Sequence, residues 1–207
     1  MHTDRPPLRL AVLISGGGST LDNLIRRIAD GRLRNVEIVG VISSRRTAGG
    51  VKIAECAGLP TTIVRRKDFA TPDEFSAALT AAVEPLNPDL VVLGGFLCLW
   101  TMPQRYLGRV LNIHPALLPK FGGKGLYGHH VHKAVLAAGE RESGCTVHFA
   151  DNEYDHGPVI AQARVPVLAG DTPEMLAARV LDAERELYPQ VIQKIADRGL
   201  ASILPNG

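Results

Sequence analysis

The chain has 207 residues, 45% of them hydrophobic, 21% charged and 5% aromatic, with 23 Lys and Arg against 21 Asp and Glu for a formal net charge of +2. At about 100–200 residues per domain, that length holds one large domain or two small ones, and the apolar and charged fractions exclude wholesale disorder. The near-neutral balance lacks the basic excess that binding a phosphate backbone requires, so nucleic acid is excluded as the leading partner class.

The start, Met1 to Arg9, leads into the apolar run Leu10 to Ile14. Ser15 and three glycines stop that run short of the roughly 7–15 residues of a signal-peptide core, and no later run reaches membrane-spanning length. The run itself is read as the first strand. Leu21, Leu24, Ile25 and Ile28 follow at helical spacing, with Gly31 as a stop. A second strand is predicted over Val36 to Ser43, a weaker helix over Val51 to Ala57, a third strand over Thr61 to Val64 and a helix over Asp73 to Val83. Pro85 and Pro88 separate that helix from the most hydrophobic strand, Leu90 to Leu93.

Beyond it stand a bulky apolar cluster, Phe96 to Trp100, a short strand, Val110 to Ile113, and a Gly- and Pro-rich loop, Pro115 to Gly128. A helix is expected near His130 to Ala138, then strands over Thr146 to Phe149 and Val159 to Val167. Thr172 as N-cap and Pro173 at the first helical position open a long closing helix. Its buried stripe is Leu176, Val180, Ala183, Leu187, Val191 and Ile195. This alternation of short apolar runs with amphipathic stretches predicts an α/β fold, a single doubly wound, mostly parallel sheet with helices on both faces. Cys56, Cys98 and Cys145 are odd in number and widely spaced, which fits a reducing cytoplasm rather than a disulfide framework or a zinc knuckle.

Four constellations could carry chemistry. Ser15-Gly16-Gly17-Gly18-Ser19-Thr20 joins the first strand to a helix, where glycines allow close backbone approach and free N–H groups favour an anion such as phosphate. It is neither a Walker A loop nor a complete G-x-G-x-x-G, since Leu21 takes the third glycine's place. A plain Gly-rich turn capped by Ser19 or Thr20 fits the same residues. In Leu111-Asn112-Ile113-His114-Pro115, period-two alternation sends Asn112 and His114 to one face. An amide can hold a developing oxyanion there and an imidazole can move a proton, although a hydrogen-bonded structural histidine is the equal alternative. The polar turn Asp151 to Pro158 reads first as a turn, yet one of its carboxylates could orient a histidine and favour its protonated form. His129, His130 and His132 stand at i, i+1 and i+3 of a helix and do not converge as metal ligands would. Glu184 lies beside the stripe of the closing helix, where spacing alone favours a solvated shoulder over a pocket edge.

The stretches A-V-L-I-S-G-G-G-S-T-L-D-N-L, D-L-V-V-L-G-G-F-L, L-N-I-H-P-A-L-L-P-K, S-G-C-T-V-H-F, Y-D-H-G-P-V-I-A-Q and E-R-E-L-Y-P resemble, in order, the phosphoribosylglycinamide formyltransferases of purine synthesis. The resemblance runs from about Leu8 to about Ala196, nearly the whole chain. It implies a formyltransferase fold with a Rossmann-like N-terminal half and one domain over residues 1–207, divided into a phosphate-binding half, about 8–100, and a catalytic and folate-binding half, about 101–198. It further implies that the backbone at Gly18, Ser19 and Thr20 holds the phosphate of glycinamide ribonucleotide and that Glu184 accepts hydrogen bonds from its ribose. Leu97, Cys98, Leu99 and Trp100, with Asn112 and the turn Ala150 to Asp155, would line a site for the cosubstrate 10-formyltetrahydrofolate. Asn112, His114 and Asp155 would be the catalytic set, with no metal, no nucleic-acid partner and no membrane. A homodimer is left open. Relatives that hydrolyse formyltetrahydrofolate or formylate methionyl-tRNA carry an added domain for which this length leaves no room, and a non-catalytic nucleotide-binding module would explain the glycine loop alone. Cys98 stands where relatives often have Arg, Pro72 where some members place a folate-contacting Arg, Gly17 and Thr20 where the family usually has an Asn or Ser within S-G-x-G-S-N, and Gly122 where Pro is common.

Overall fold

Leu8–Ile14 forms β1, whose side chains divide between two cores: Leu10, Val12 and Ile14 face one apolar cluster, Ala11 and Leu13 another. A strand apolar on both faces must be covered on both, and this one fact fixes the layered arrangement. The structure is a computed structural model describing residues 6–203; Met1–Arg5, the polar lead-in, and residues 204–207, both counted in the domain expected above, lie outside it.

The chain continues through α1 (Ser19–Ala29), β2 (Val36–Ser43), α2 (Gly49–Cys56), β3 (Thr61–Ile63), α3 (Pro72–Val83), β4 (Leu90–Leu93), β5 (Val110–His114), α4 (His129–Ala137), β6 (Glu142–Phe149), β7 (Val159–Pro166) and α5 (Pro173–Arg198). Each expected element is present, most within two residues of its predicted bounds. The largest difference is at β6, which starts four residues before Thr146. Ser143 and Gly144 carry no strand signature, but they pair with Val165 and Arg164 of β7, and a Cβ on Gly144 would run into the Ala163 carbonyl. Pro72, at the first turn of α3, follows a Thr71 N-cap that forms a reciprocal capping box with Glu74.

The sheet order is β3-β2-β1-β4-β5-β6-β7, with β1 to β5 parallel and β6 antiparallel to both of its neighbours, β5 and β7. Apolar residues of α1, α2, α4 and α5 cover one face, and Phe75, Leu79 and Val83 of α3 cover the other. Strand order reverses between β1 and β4, and in open α/β sheets the crevice outside the carboxyl ends at such a point is where ligands bind. α5 is pinned over this point by Tyr188, whose buried hydroxyl donates to the Leu111 carbonyl at 2.8 Å. Among the described residues no helix is long and apolar enough to cross a membrane.

Candidate active site

A cavity of about 810 Å3 opens at the switch point, walled by the loop after β1, the end of β5, the loop before α4 and one face of α5. Gly18 is the N-cap of α1, in a left-handed conformation (φ 83°), and no side chain caps the helix. The alternative of a turn capped by Ser19 or Thr20 is therefore not realised, and the first-turn N–H groups keep no intrahelical partner. Glycine is required at this position: a Cβ on Gly18 would collide with Gly50 Cα, where α2 packs against the loop.

β5 ends in Asn112 and His114, which share the cavity face as the alternation predicted. Both meet the carboxylate of Asp155: Asn112 Nδ2 donates to Oδ1 at 3.2 Å, and His114 Nδ1 lies 3.4 Å from the same oxygen. The Gly123 N–H donates to Oδ2 at 3.0 Å. Burial opposes ionisation of Asp155, but the hydrogen bond and charge of His114 and the Gly123 N–H outweigh it and hold the carboxyl well below the usual carboxylate range. Two positive-φ residues, Asp155 (54°) and Phe121 (58°), make this geometry, a backbone strain of the kind found where side chains must be aimed. Phe121 turns its carbonyl onto His114 Nε2 at 2.8 Å. Both ring nitrogens of His114 thus face oxygen acceptors.

Sequence reasoning missed His148. It stands opposite Asn112 in the antiparallel β5–β6 register, its Nδ1 donates to the Phe149 carbonyl at 2.8 Å, and its Nε2 accepts from Asn112 Nδ2 at 3.0 Å. The motif S-G-C-T-V-H-F contains it, but only the pairing of β6 with β5 gives it a neighbour. The Asn112 amide is oriented by this pair of bonds, so an incoming oxygen must take over one of its two N–H groups. Gly122 has a similar tertiary cause, since a side chain there would strike Leu118 and crowd Asp155.

The four residues Leu97 to Trp100, beyond β4, do not line one pocket. Leu97 borders the large cavity, while Cys98, Leu99 and Trp100 border a smaller adjoining slot whose floor includes Asn112 and Asp155. Phe96, Met102 and Tyr154 make the rest of that slot largely apolar, which suits a flat heteroaromatic ring with a polar end against Asp155. Trp100 is buried, donating Nε1–H to Thr80 Oγ1 at 3.1 Å and packing on Tyr106 at 5.1 Å between centroids. Ser15 Oγ accepts from the Leu97 N–H at 2.9 Å and contacts Ser44 Oγ at 2.6 Å, fastening this segment to the ends of β1 and β2.

Glu184 is on the cavity wall, not on a solvated shoulder. Burial pushes its carboxyl up to about 7, against the opposing charges of His114 and Arg185. The three α4 histidines diverge: His129 Nδ1 lies 3.4 Å from Glu174 Oε1, His130 packs edge-on against Tyr127, and His132 is buried. Among the described residues no three His, Cys, Asp or Glu side chains gather into a metal-sized group.

A carboxylate thus gathers an Asn and a His beneath a cavity at the carboxyl edge of a doubly wound sheet. The chain belongs to the formyl transferase family, whose sequence model matches residues 8–192. The Arabidopsis thaliana chloroplastic phosphoribosylglycinamide formyltransferase is 42% identical over 192 residues, covering 91% of this chain and 65% of that protein. A trifunctional purine biosynthetic protein of Drosophila pseudoobscura pseudoobscura is 40% identical over 202 residues, 96% of this chain but 14% of that protein. Among solved structures, the phosphoribosylglycinamide formyltransferase of Brucella melitensis superposes with a TM-score of 0.80 at 46% identity, covering 92% of this chain and 96% of that one. The chain thus spans less than two thirds of the length of the first two relatives.

Proposed function

We propose that this chain transfers the formyl group of 10-formyltetrahydrofolate to the primary amine of phosphoribosylglycinamide, a step of purine biosynthesis. The observation that carries the reading is the convergence of Asn112 and His114 on Asp155 where the two recesses meet. In this reading the first-turn N–H groups at Gly18, Ser19 and Thr20 hold the substrate phosphate, and Glu184 accepts hydrogen bonds from its ribose hydroxyls. Phe96, Leu97, Cys98, Leu99 and Tyr154 surround the pterin, with Trp100 backing them from the core.

Formyl-folate supplies a carbonyl carbon bonded to nitrogen, open to attack by the amine. As the amine nitrogen bonds to that carbon, the formyl oxygen becomes negative, and His114 in its protonated form, helped by an Asn112 N–H, holds that charge. Asp155 keeps His114 oriented. The attacking nitrogen must lose a proton and the departing folate nitrogen must gain one, and the Asp155–His114 pair bridges the positions where both needs arise. The products are the formamide and tetrahydrofolate, and no covalent link to the protein forms. Both halves of the chain contribute to this one site, so the functional unit is the single domain, and its place of action is the cytoplasm.

Tetrahydrofolate release in the presence and absence of phosphoribosylglycinamide tests the assignment. Release that depends on the ribonucleotide and yields its formamide is expected. Equal release with and without it would replace the reading with hydrolysis.

A further inference from the structure

His132 is a buried ionisable group that this mechanism leaves unused. It is 4% exposed, at the first turn of α4, and it borders the large cavity together with His114 and Glu184. Its Nδ1 is closed off from solvent and has no hydrogen-bond partner. An unmet buried polar atom is uncommon, and a lone pair without a donor is tolerated better than an N–H without an acceptor. The ring proton is therefore placed on Nε2, the polar atom left with which His132 can meet something in the cavity. Burial and the neighbouring imidazoles of His129 and His114 push its pKa down to about 4, so around neutrality the ring is an uncharged donor. An uncharged donor suits this position, because a second cation would compete with the imidazolium of His114.

The surroundings locate the acceptor. α4 packs on α5, and one turn before His132 the His129–Glu174 contact at 3.4 Å ties the two helices together at the cavity rim. His114, His132 and Glu184 all line the large cavity. Resting on the function proposed above, we infer that His132 is a substrate-binding residue whose Nε2–H donates to an uncharged oxygen of the ribonucleotide in the cavity it shares with Glu184 and His114.

Titration of the full chain with phosphoribosylglycinamide, alongside His132→Leu and His132→Gln, tests this. His132→Leu is expected to weaken binding about tenfold, the worth of one hydrogen bond, and His132→Gln, which keeps a donor, to stay within about threefold of the parent. His132→Leu binding within twofold of the parent overturns the inference, as does equal weakening in both variants. Should His132→Leu fail to fold, histidine-labelled parent protein decides: the His132 Nε2–H resonance must shift on adding the ribonucleotide, and an unmoved resonance overturns the inference. If the parent transfers formyl groups and His132 shows no effect, this assignment alone falls. If the parent binds the ribonucleotide through His132 without transferring a formyl group, the proposed function alone falls.

Discussion

Replacing Asp155 by Asn keeps the side-chain volume and removes one charge from the point where the site's donors meet. At the 3.4 Å separation of Asp155 and His114 and an effective dielectric of about 20, their attraction is about 5 kcal/mol. Only the part that differs between ground and transition state affects the rate, so a loss of about 3–4 kcal/mol is expected, or two to three decades in kcat. The amide adds a second defect. Oδ1 faces Asn112 Nδ2 and His114 Nδ1, while Oδ2 faces the Gly123 N–H, and an amide offers one oxygen only. One side therefore meets donor to donor, at a cost of about 1–3 kcal/mol in stability. The depressed carboxyl of Asp155 contributes stability that is complete above its unfolded value and is lost as pH falls toward its folded one. The Tm gap between parent and variant should accordingly narrow progressively below about pH 4. The assay is single-turnover formyl transfer with thermal melts from neutral to acid pH. Asp155→Asn retaining kcat within about threefold of the parent, or a melting gap indifferent to acid, would refute the reasoning.

Three further outcomes are expected. Glu184→Gln should weaken phosphoribosylglycinamide binding yet stabilise the protein at pH 8, because a carboxyl raised from 4.5 to about 7 favours folding below its unfolded value and loses that advantage as pH rises through its folded one. At 1.36 kcal/mol per pH unit the stability gain is at most about 3 kcal/mol and should vanish below about pH 4, which chemical denaturation at several pH values measures. Gly18→Ala should cost about 2–4 kcal/mol, combining a left-handed backbone with the collision against Gly50, and should abolish ribonucleotide binding; an unchanged melt would remove the close approach from the argument. Tyr188→Phe should lose about 1–2 kcal/mol by leaving the Leu111 carbonyl without its donor, seen as a lower denaturation midpoint with kcat little altered.

The candidate site was legible in unequal parts. Asn112 and His114 follow from alternation along one strand, a local property, and the structure puts them on the same cavity face. Glu184 defeated the same kind of reasoning, because helical periodicity locates a residue on its own helix and says nothing of what packs against that side. His148 reaches Asn112 across an antiparallel register and the Gly123 N–H reaches Asp155 from a loop, through sequence separations that no periodicity spans.

The sequence by itself determined the elements, since burial on two faces writes continuous apolar runs and burial on one helical stripe writes a period of 3.6. It also determined the special backbone points, because only glycine or a capping side chain fits them, as at Gly18, Thr71 and Thr172. The tertiary structure alone decided which polar groups meet. Hydrogen bonds act over about 3 Å, and the choice of partner for Asp155 and for the amide of Asn112 depends on strand order, register and the strained turns at Phe121 and Asp155.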